Sequence, residues 1–197
     1  MLLPGLIIGL TVHEASHALT AKLLGDWTSY KMGRVSLNPF RHLSLLGTAA
    51  LFILYFGWGK PVIVNLYNFK RPKLYYFISS IAGPVSNFLL AFAALGILYL
   101  NPGKYITIVS LSIFIINCVL AVLNLVPVPP LDGSKIWPCL IPGLRPTVSA
   151  KWSLFWIVIL VIAFSTHTIG KIISFALNLL VPLLPIESLE TLKELFY

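Results

Sequence analysis

His13, Glu14 and His17 form an HExxH motif inside the first apolar stretch of the chain. On an α-helix, positions i and i+4 lie on one face, so the two imidazoles can bind a single metal ion. Glu14 borders the same face, where a carboxylate can act as the general base that takes a proton from a metal-activated water. The motif therefore predicts a hydrolytic site in which His13 and His17 hold one Zn²⁺ per chain and Glu14 is the catalytic residue.

A catalytic zinc ion with two imidazole ligands needs a third protein ligand beside its water. The chain has six acidic residues, and those outside the motif are Asp26, Asp132, Glu187, Glu190 and Glu194. Asp132 follows an apolar run and the prolines at 127, 129 and 130, which break a helix and hold the backbone extended. We expect Asp132 to be the third ligand; alone, it would be interpreted as part of a surface turn.

The alternative for the motif is a packed polar patch between helices. Three ionisable side chains in a membrane helix are costly without partners, and a divalent cation would offset much of that cost by making them ligands. The remaining histidines are not expected to bind the metal. His42, next to Arg41 in a basic loop, is predicted to be an interfacial side chain, and His167 is predicted to anchor a helix end.

The composition is that of a membrane protein. Hydrophobic residues make up 58% of the chain and charged residues 10%, and the mean hydropathy is +0.91. The apolar runs lack the alternation of polar and apolar residues that barrel strands show. The spanning segments are therefore expected to be helices, which satisfy their own backbone hydrogen bonds in lipid. The net charge of +8 comes from Lys and Arg residues in short segments beside the apolar runs, where such residues indicate the cytoplasmic side of the membrane. Nucleic acid is therefore not an expected partner, whereas the lipid bilayer is.

The apolar runs predict an all-α polytopic helical bundle with about 4 to 6 membrane segments. Residues 1–24, 74–100 and 105–126 are predicted spans, and residues 152–184 form either one kinked span or two shorter ones. The first run lacks a basic n-region, so we expect it to be retained rather than removed as a signal peptide.

The basic stretches place several loops on one side of the membrane. Residues 43–58 lie between two such stretches and are short, so they predict a re-entrant segment that can continue into a hairpin through residues 60–65. The Pro-rich segment 127–151 carries Lys135 and is predicted to lie on the same, cytoplasmic side, as is the active site. We expect a multi-pass protein of the cytoplasmic membrane.

We expect a single membrane-embedded domain over residues 1–197. Its catalytic core covers about residues 1–142 and its C-terminal membrane segments about residues 152–184. The tail from Ile186 is predicted to be a short amphipathic acidic stretch.

Several further motifs match a known family. The chain resembles the site-2 proteases, which are intramembrane zinc metalloproteases, and in particular their compact prokaryotic branch without PDZ or CBS domains. The resemblance covers residues 6 to about 142 and rests on HExxH at 13–17, Gly25-Asp26, Leu37-Asn38-Pro39 with His42 and Gly47, residues 56–62, Gly83-Pro84-Val85-Ser86-Asn87, and Asn124 through Asp132-Gly133. The chain departs from the family's pattern at two points. Ser44 stands where many relatives have an acidic residue, and the HExxH helix begins almost at Met1, whereas many relatives have another hydrophobic segment before it.

The resemblance implies roles for single residues. It makes Asp132 the third zinc ligand and Glu14 the catalytic base, and it assigns Asn87 and Asn124 to substrate positioning or polarisation of the substrate carbonyl. The implied activity is hydrolysis of peptide bonds in transmembrane protein or peptide substrates, within or near the bilayer, as in regulated intramembrane proteolysis. The alternative is a zinc-binding membrane adaptor without proteolytic activity, against which the intact Glu14 argues. A metal transporter would need polar residues on several spans, and a membrane di-iron oxidase would need more histidines.

Overall fold

The computed structural model describes residues 2–44, 59–143 and 168–196. The α-helices in these ranges are α1 (Leu3–Leu23), α2 (Thr28–Lys31), α3 (Pro72–Leu98), α4 (Lys104–Asn124), α5 (Gly133–Leu140), α6 (Thr168–Leu180) and α7 (Ile186–Phe196). Short 3-10 helices cover Pro39–Arg41, Leu66–Asn68 and Val181–Leu183. Within this described part no β-strand occurs, so the all-α prediction is confirmed there.

Two of the helices, α3 and α4, are long and apolar enough to cross a membrane. They coincide with the spans predicted over residues 74–100 and 105–126. The turn between them depends on left-handed backbone at Asn101 (φ 47°) and Gly103 (φ 84°), which Gly adopts without steric cost and Asn adopts more readily than most residues. The prediction that α1 is also a span, and that about 4 to 6 segments cross the membrane, stays a prediction.

Helix α1 packs against both α3 and α4. Its glycines allow the close approach: a Cβ on Gly5 would lie 2.2 Å from the Ser112 carbonyl oxygen, and one on Gly9 would lie 2.7 Å from Asn117 Oδ1. Small residues at such crossings let helix backbones come together, as is usual in membrane bundles. The HExxH helix is therefore held tightly against the two apolar helices.

A hydrophobic cluster joins α3, α4 and the C-terminal segment. It consists of Ala91, Ala94, Leu98, Leu111, Phe114, Cys118 and Leu184. Nearby, the Tyr99 hydroxyl donates to the Leu183 carbonyl oxygen over 2.9 Å. On the outer face of α3, Leu89 and Phe92 are exposed, which suits contact with lipid tails.

Asp26 organises the loop that follows α1. Its buried carboxylate accepts hydrogen bonds from the backbone and hydroxyl of Thr28, the backbone N–H of Asn65 and the side-chain amide of Asn68. Burial alone would raise the pKa of Asp26, but these hydrogen bonds outweigh it and lower the pKa below its usual range. Asp26 thus ties the start of the loop to its end.

The predicted re-entrant segment lies mostly outside the described residues. At its edges, Leu43 and Gly59 form an antiparallel bridge, and the Lys60 N–H donates to the His42 carbonyl oxygen over 2.6 Å. Residues 60–65 form no strand, so beyond that bridge the described chain contains no hairpin there. Of the predicted C-terminal spans, residues 152–167 with His167 also lie outside the described ranges, and α6 and α7 follow them.

The His42 side chain is not exposed at the surface, as the predicted interfacial position would require. Its side chain is fully buried, and Nε2 donates to the Ser36 carbonyl oxygen over 2.7 Å. His42 therefore holds the loop from within, and the interfacial prediction is wrong.

Candidate metal centre

The two motif histidines project from α1 into the interior of the bundle. His13 is 4% exposed and His17 is 6% exposed. Their ring centroids are 4.6 Å apart with the rings nearly perpendicular, and their Nε2 atoms are separated by 3.1 Å. The i, i+4 spacing on one helix thus brings both nitrogens to one point, as predicted.

Asp132 reaches the same point from the loop between α4 and α5. This loop folds tightly onto the end of α4, since a Cβ on Gly133 would lie 2.2 Å from the Val126 carbonyl oxygen and 2.4 Å from that of Leu125. The indole N–H of Trp137 also donates to the Leu125 carbonyl oxygen over 2.8 Å. Only glycine fits at position 133, and the compact turn aims the Asp132 side chain into the bundle.

The ligand atoms of the three residues converge. Asp132 Oδ2 lies 3.0 Å from His13 Nε2 and 2.9 Å from His17 Nε2. Ligand atoms around a tetrahedral zinc ion, with bonds of about 2.0–2.1 Å, are roughly 3.3 Å apart. The observed separations are close to that value, and the donor set of two imidazoles and one carboxylate is one that catalytic zinc sites use. The three buried residues could hold a metal ion.

Outer hydrogen bonds fix the orientation of both imidazoles. His17 Nδ1 donates to the Ser79 carbonyl oxygen over 2.7 Å, and His13 Nδ1 donates to Asn87 Oδ1 over 2.6 Å. A carbonyl oxygen can only accept, so each proton lies on Nδ1 and each Nε2 keeps its lone pair for a metal. The site is therefore arranged for metal binding beyond its direct ligands.

Both polar ends of Asn87 are engaged by the protein. Besides accepting from His13, Asn87 donates to the Gly9 carbonyl oxygen over 3.2 Å and to Asn117 Oδ1 over 2.7 Å. These contacts make Asn87 an orienting partner of His13. Its predicted contact with substrate stays a prediction, and so does that of Asn124, which lies half-buried at the end of α4 and donates to the Leu120 carbonyl oxygen.

Glu14 is half-buried beside the three predicted ligands. It directly follows His13 in α1, so its carboxylate borders the cluster. A carboxylate at the border of the site suits proton transfer, and the role of Glu14 as general base stays a prediction.

The sequence did not assign two residues that contact the site. Lys135 Nζ lies 2.8 Å from Asp132 Oδ1, although the sequence indicated Lys135 only as a topology signal. Gly83 faces the histidines, since a Cβ there would lie 2.3 Å from His17 Nε2. For Lys135, the i, i+3 spacing from Asp132 was a signal in the sequence. For Gly83, the sequence showed the motif at residues 83–87 but not that the glycine lies against the histidines.

Comparison with known proteins gives the family. The chain is 40% identical over 168 residues to the Bacillus subtilis protein named "Putative zinc metalloprotease YwhC", covering 80% of this chain and 77% of that protein. It is 30% identical over 180 residues to "Putative zinc metalloprotease Rip2" of Mycobacterium tuberculosis H37Rv, covering 86% of this chain and 68% of that protein. A Methanocaldococcus jannaschii protein, "Putative zinc metalloprotease MJ0611", is 28% identical over 130 residues, covering 65% of this chain and 64% of its own length.

No family model matches the chain, and no solved structure matches it. The first relative is nevertheless 40% identical over most of both chains. The motifs at residues 13–17, 83–87 and 124–133 supply the side chains of the metal centre and the partners of its histidines. The chain therefore belongs to the site-2 protease family.

Proposed function

We propose that this protein is an intramembrane zinc endopeptidase that hydrolyses peptide bonds of membrane-protein substrates within or near the bilayer. The observation that carries the proposal is the convergence of His13, His17 and Asp132 in a buried cluster next to Glu14. A zinc ion held by these three residues would supply Lewis acidity and lower the pKa of a coordinated water.

The protein's own residues would perform the proton transfers. Glu14 would accept the proton of the attacking water and then donate it to the leaving amine, as a general base and acid. Asn87 and Ser79 keep the two imidazoles oriented, because each accepts the Nδ1 proton of one histidine. Burial of the cluster excludes bulk water, which strengthens each electrostatic interaction in the site.

We place the centre inside the membrane on the cytoplasmic side. His17 precedes the end of α1 at Leu23 by six residues, and a rise of 1.5 Å per residue places it about 9 Å from that end. The basic residues that follow α1 favour the cytoplasmic side for this end of the helix, and therefore for the metal centre. A substrate helix hides its carbonyl groups in hydrogen bonds, so helix-breaking residues near the cleavage site should favour hydrolysis.

The test is cleavage of a single-span substrate by the purified protein in detergent with zinc. Glu14→Gln should bind zinc normally and lose at least about 100-fold in cleavage rate, since the general base is removed while the ligands remain. Asp132→Asn should lose both zinc binding and cleavage, because a carboxylate ligand becomes a neutral amide. Glu187→Gln on α7, remote from the cluster, is the matched control and should cleave like the wild type.

The outcomes separate the protease from the alternative. Zinc binding without cleavage across varied substrates would favour the zinc-binding membrane adaptor. Full activity of Glu14→Gln would remove Glu14 from the chemistry and contradict the proposed mechanism.

A further inference from the structure

The two carboxylate oxygens of Asp132 have different partners. Oδ2 faces the two imidazoles, at 3.0 Å from His13 Nε2 and 2.9 Å from His17 Nε2. Oδ1 lies 2.8 Å from Lys135 Nζ. The Asp132 side chain is 6% exposed, whereas that of Lys135 is 38% exposed and reaches inward from the edge of the site. One oxygen is thus available to a metal and the other is already bound.

The backbone holds this division in place. Asp132 is the N-cap residue of α5, but its side chain makes no capping hydrogen bond, so the carboxylate is free to point into the bundle. Its carbonyl oxygen accepts from the backbone N–H groups of Lys135 and Ile136 over 2.8 and 2.9 Å. The i, i+3 spacing on this first turn places the lysine and the carboxylate side by side.

The charges around Lys135 favour this contact. Its Nζ forms an ion pair with Asp132 Oδ1 over 2.8 Å, and Glu14 of α1 is the other acidic side chain that borders the site. The other four acidic residues of the chain lie in the loop after α1 and in or next to α7. Lys135 is therefore positioned as the counter-ion of the cluster.

We propose that Lys135 is a positioning residue that binds Asp132 Oδ1 and keeps the carboxylate a one-oxygen ligand of the metal. The proposal rests on the metal centre of the proposed function. A carboxylate can bind a metal through one oxygen or through both. A catalytic zinc site must keep its fourth position open for water, and a second carboxylate oxygen would compete for that position. By binding Oδ1, Lys135 keeps the position open.

Two measurements on purified protein test this role without substrate: zinc affinity by competition with a chelator, and the absorption spectrum of the cobalt(II)-loaded protein, which reports coordination number. Lys135→Met keeps the length of the side chain and removes the donor. It should weaken zinc binding about 10- to 100-fold, the usual effect of losing an outer-shell partner. Its cobalt spectrum should change from the intense four-coordinate form to the weaker five-coordinate form.

Two further variants serve as rescue and control. Lys135→Arg supplies a new cationic donor and should restore both the zinc affinity and the four-coordinate spectrum. Lys73→Met removes a lysine whose Nζ donates to the Ile141 carbonyl oxygen over 3.1 Å and not to Asp132, and it should leave both readouts unchanged. Lys135→Leu, which also lacks a donor, is measured in the same way, so that the test does not depend on the folding of one variant.

The proposal is overturned if Lys135→Met and Lys135→Leu keep the wild-type cobalt spectrum, even with weaker zinc binding, because Lys135 would then only balance charge. Failure of Lys135→Arg to restore the spectrum would also overturn it. A wild-type protein that binds neither ion would contradict the metal centre itself. A protein that binds both ions but cleaves no peptide would contradict the protease alone.

Discussion

Replacement of Gly83 by alanine tests whether the packing of α3 on α1 sets the metal geometry. A Cβ at this position would lie 2.3 Å from His17 Nε2, and 2.6 Å and 2.7 Å from His13 Cε1 and Nε2. Carbon atoms in ordinary contact are about 3.5–4.0 Å apart, so the new methyl group is roughly 1 Å too close to both imidazoles.

Neither imidazole can easily move away from the new methyl group. Each is held at Nδ1, by Asn87 and by the Ser79 carbonyl oxygen, and the atom nearest the methyl group is the Nε2 that would bind the metal. Metal–ligand distances tolerate deviations of only about 0.2 Å. We therefore expect Gly83→Ala to lower zinc affinity by at least about 100-fold, more than loss of an outer hydrogen bond. Overpacking should also cost about 1–3 kcal/mol in stability.

The assay is zinc affinity by chelator competition, with thermal unfolding measured on the same samples. The matched control is Gly96→Ala on the same helix, where a Cβ meets no atom within 4 Å. This control should bind zinc normally and, by exchanging glycine for alanine in a helix, gain up to about 1 kcal/mol in stability. Wild-type zinc affinity in Gly83→Ala, with Gly96→Ala also normal, would refute the tight packing of Gly83 on the histidines.

Three further variants test other contacts. Asn87→Leu removes the acceptor for the His13 Nδ1 proton and should weaken zinc binding about 10- to 100-fold in the same competition assay; an unchanged affinity would show that His13 needs no such partner. Gly133→Ala places a Cβ 2.2 Å from a carbonyl oxygen of the preceding loop and should displace Asp132, with loss of zinc and a lower melting temperature; normal values for both would contradict the tight turn. Asp26→Asn tests pH dependence. The pKa of Asp26 is lowered in the folded state, so its ionised form stabilises the fold above the unfolded pKa of about 3.9, and this stability is lost as the pH falls through the folded pKa. Wild type should exceed Asp26→Asn in unfolding free energy at neutral pH, and the difference should shrink below about pH 4; a constant difference would contradict the role of its charge.

Local patterns were enough to predict the long helices α3 and α4 and two of the three residues of the cluster. The apolar runs predicted α3 and α4, because a membrane span must satisfy its own backbone and helices do so within one segment. The pairing of His13 with His17 also followed from sequence, since i and i+4 share a helix face whatever the rest of the chain does.

Contacts between residues far apart in the chain were harder to predict from the sequence. Asp132 could be named by elimination and by resemblance, but its distance from His17 depends on how a loop 115 residues later packs against α1. The structure brings it there through the fit of Gly133 onto the end of α4. Likewise, the sequence placed His42 in a basic loop, and only the folded loop shows that the side chain is buried.

By itself, the sequence determined the helical character of the described chain and the histidine pair, because these depend on residue type and local spacing. It also named the acid that could complete the pair, since the chain has only six acidic residues and the family resemblance points to Asp132. The tertiary structure decided the roles of the partners. Asn87 orients His13, Gly83 leaves room for both imidazoles, and Lys135 binds the outer oxygen of Asp132. The physical reason is that Asn87 and Gly83 lie on a different helix from the histidines, and the spacing of residues along the chain does not set that distance. Lys135 is three residues from Asp132, but their contact acts on the cluster only because the fold brings Asp132 to the histidines.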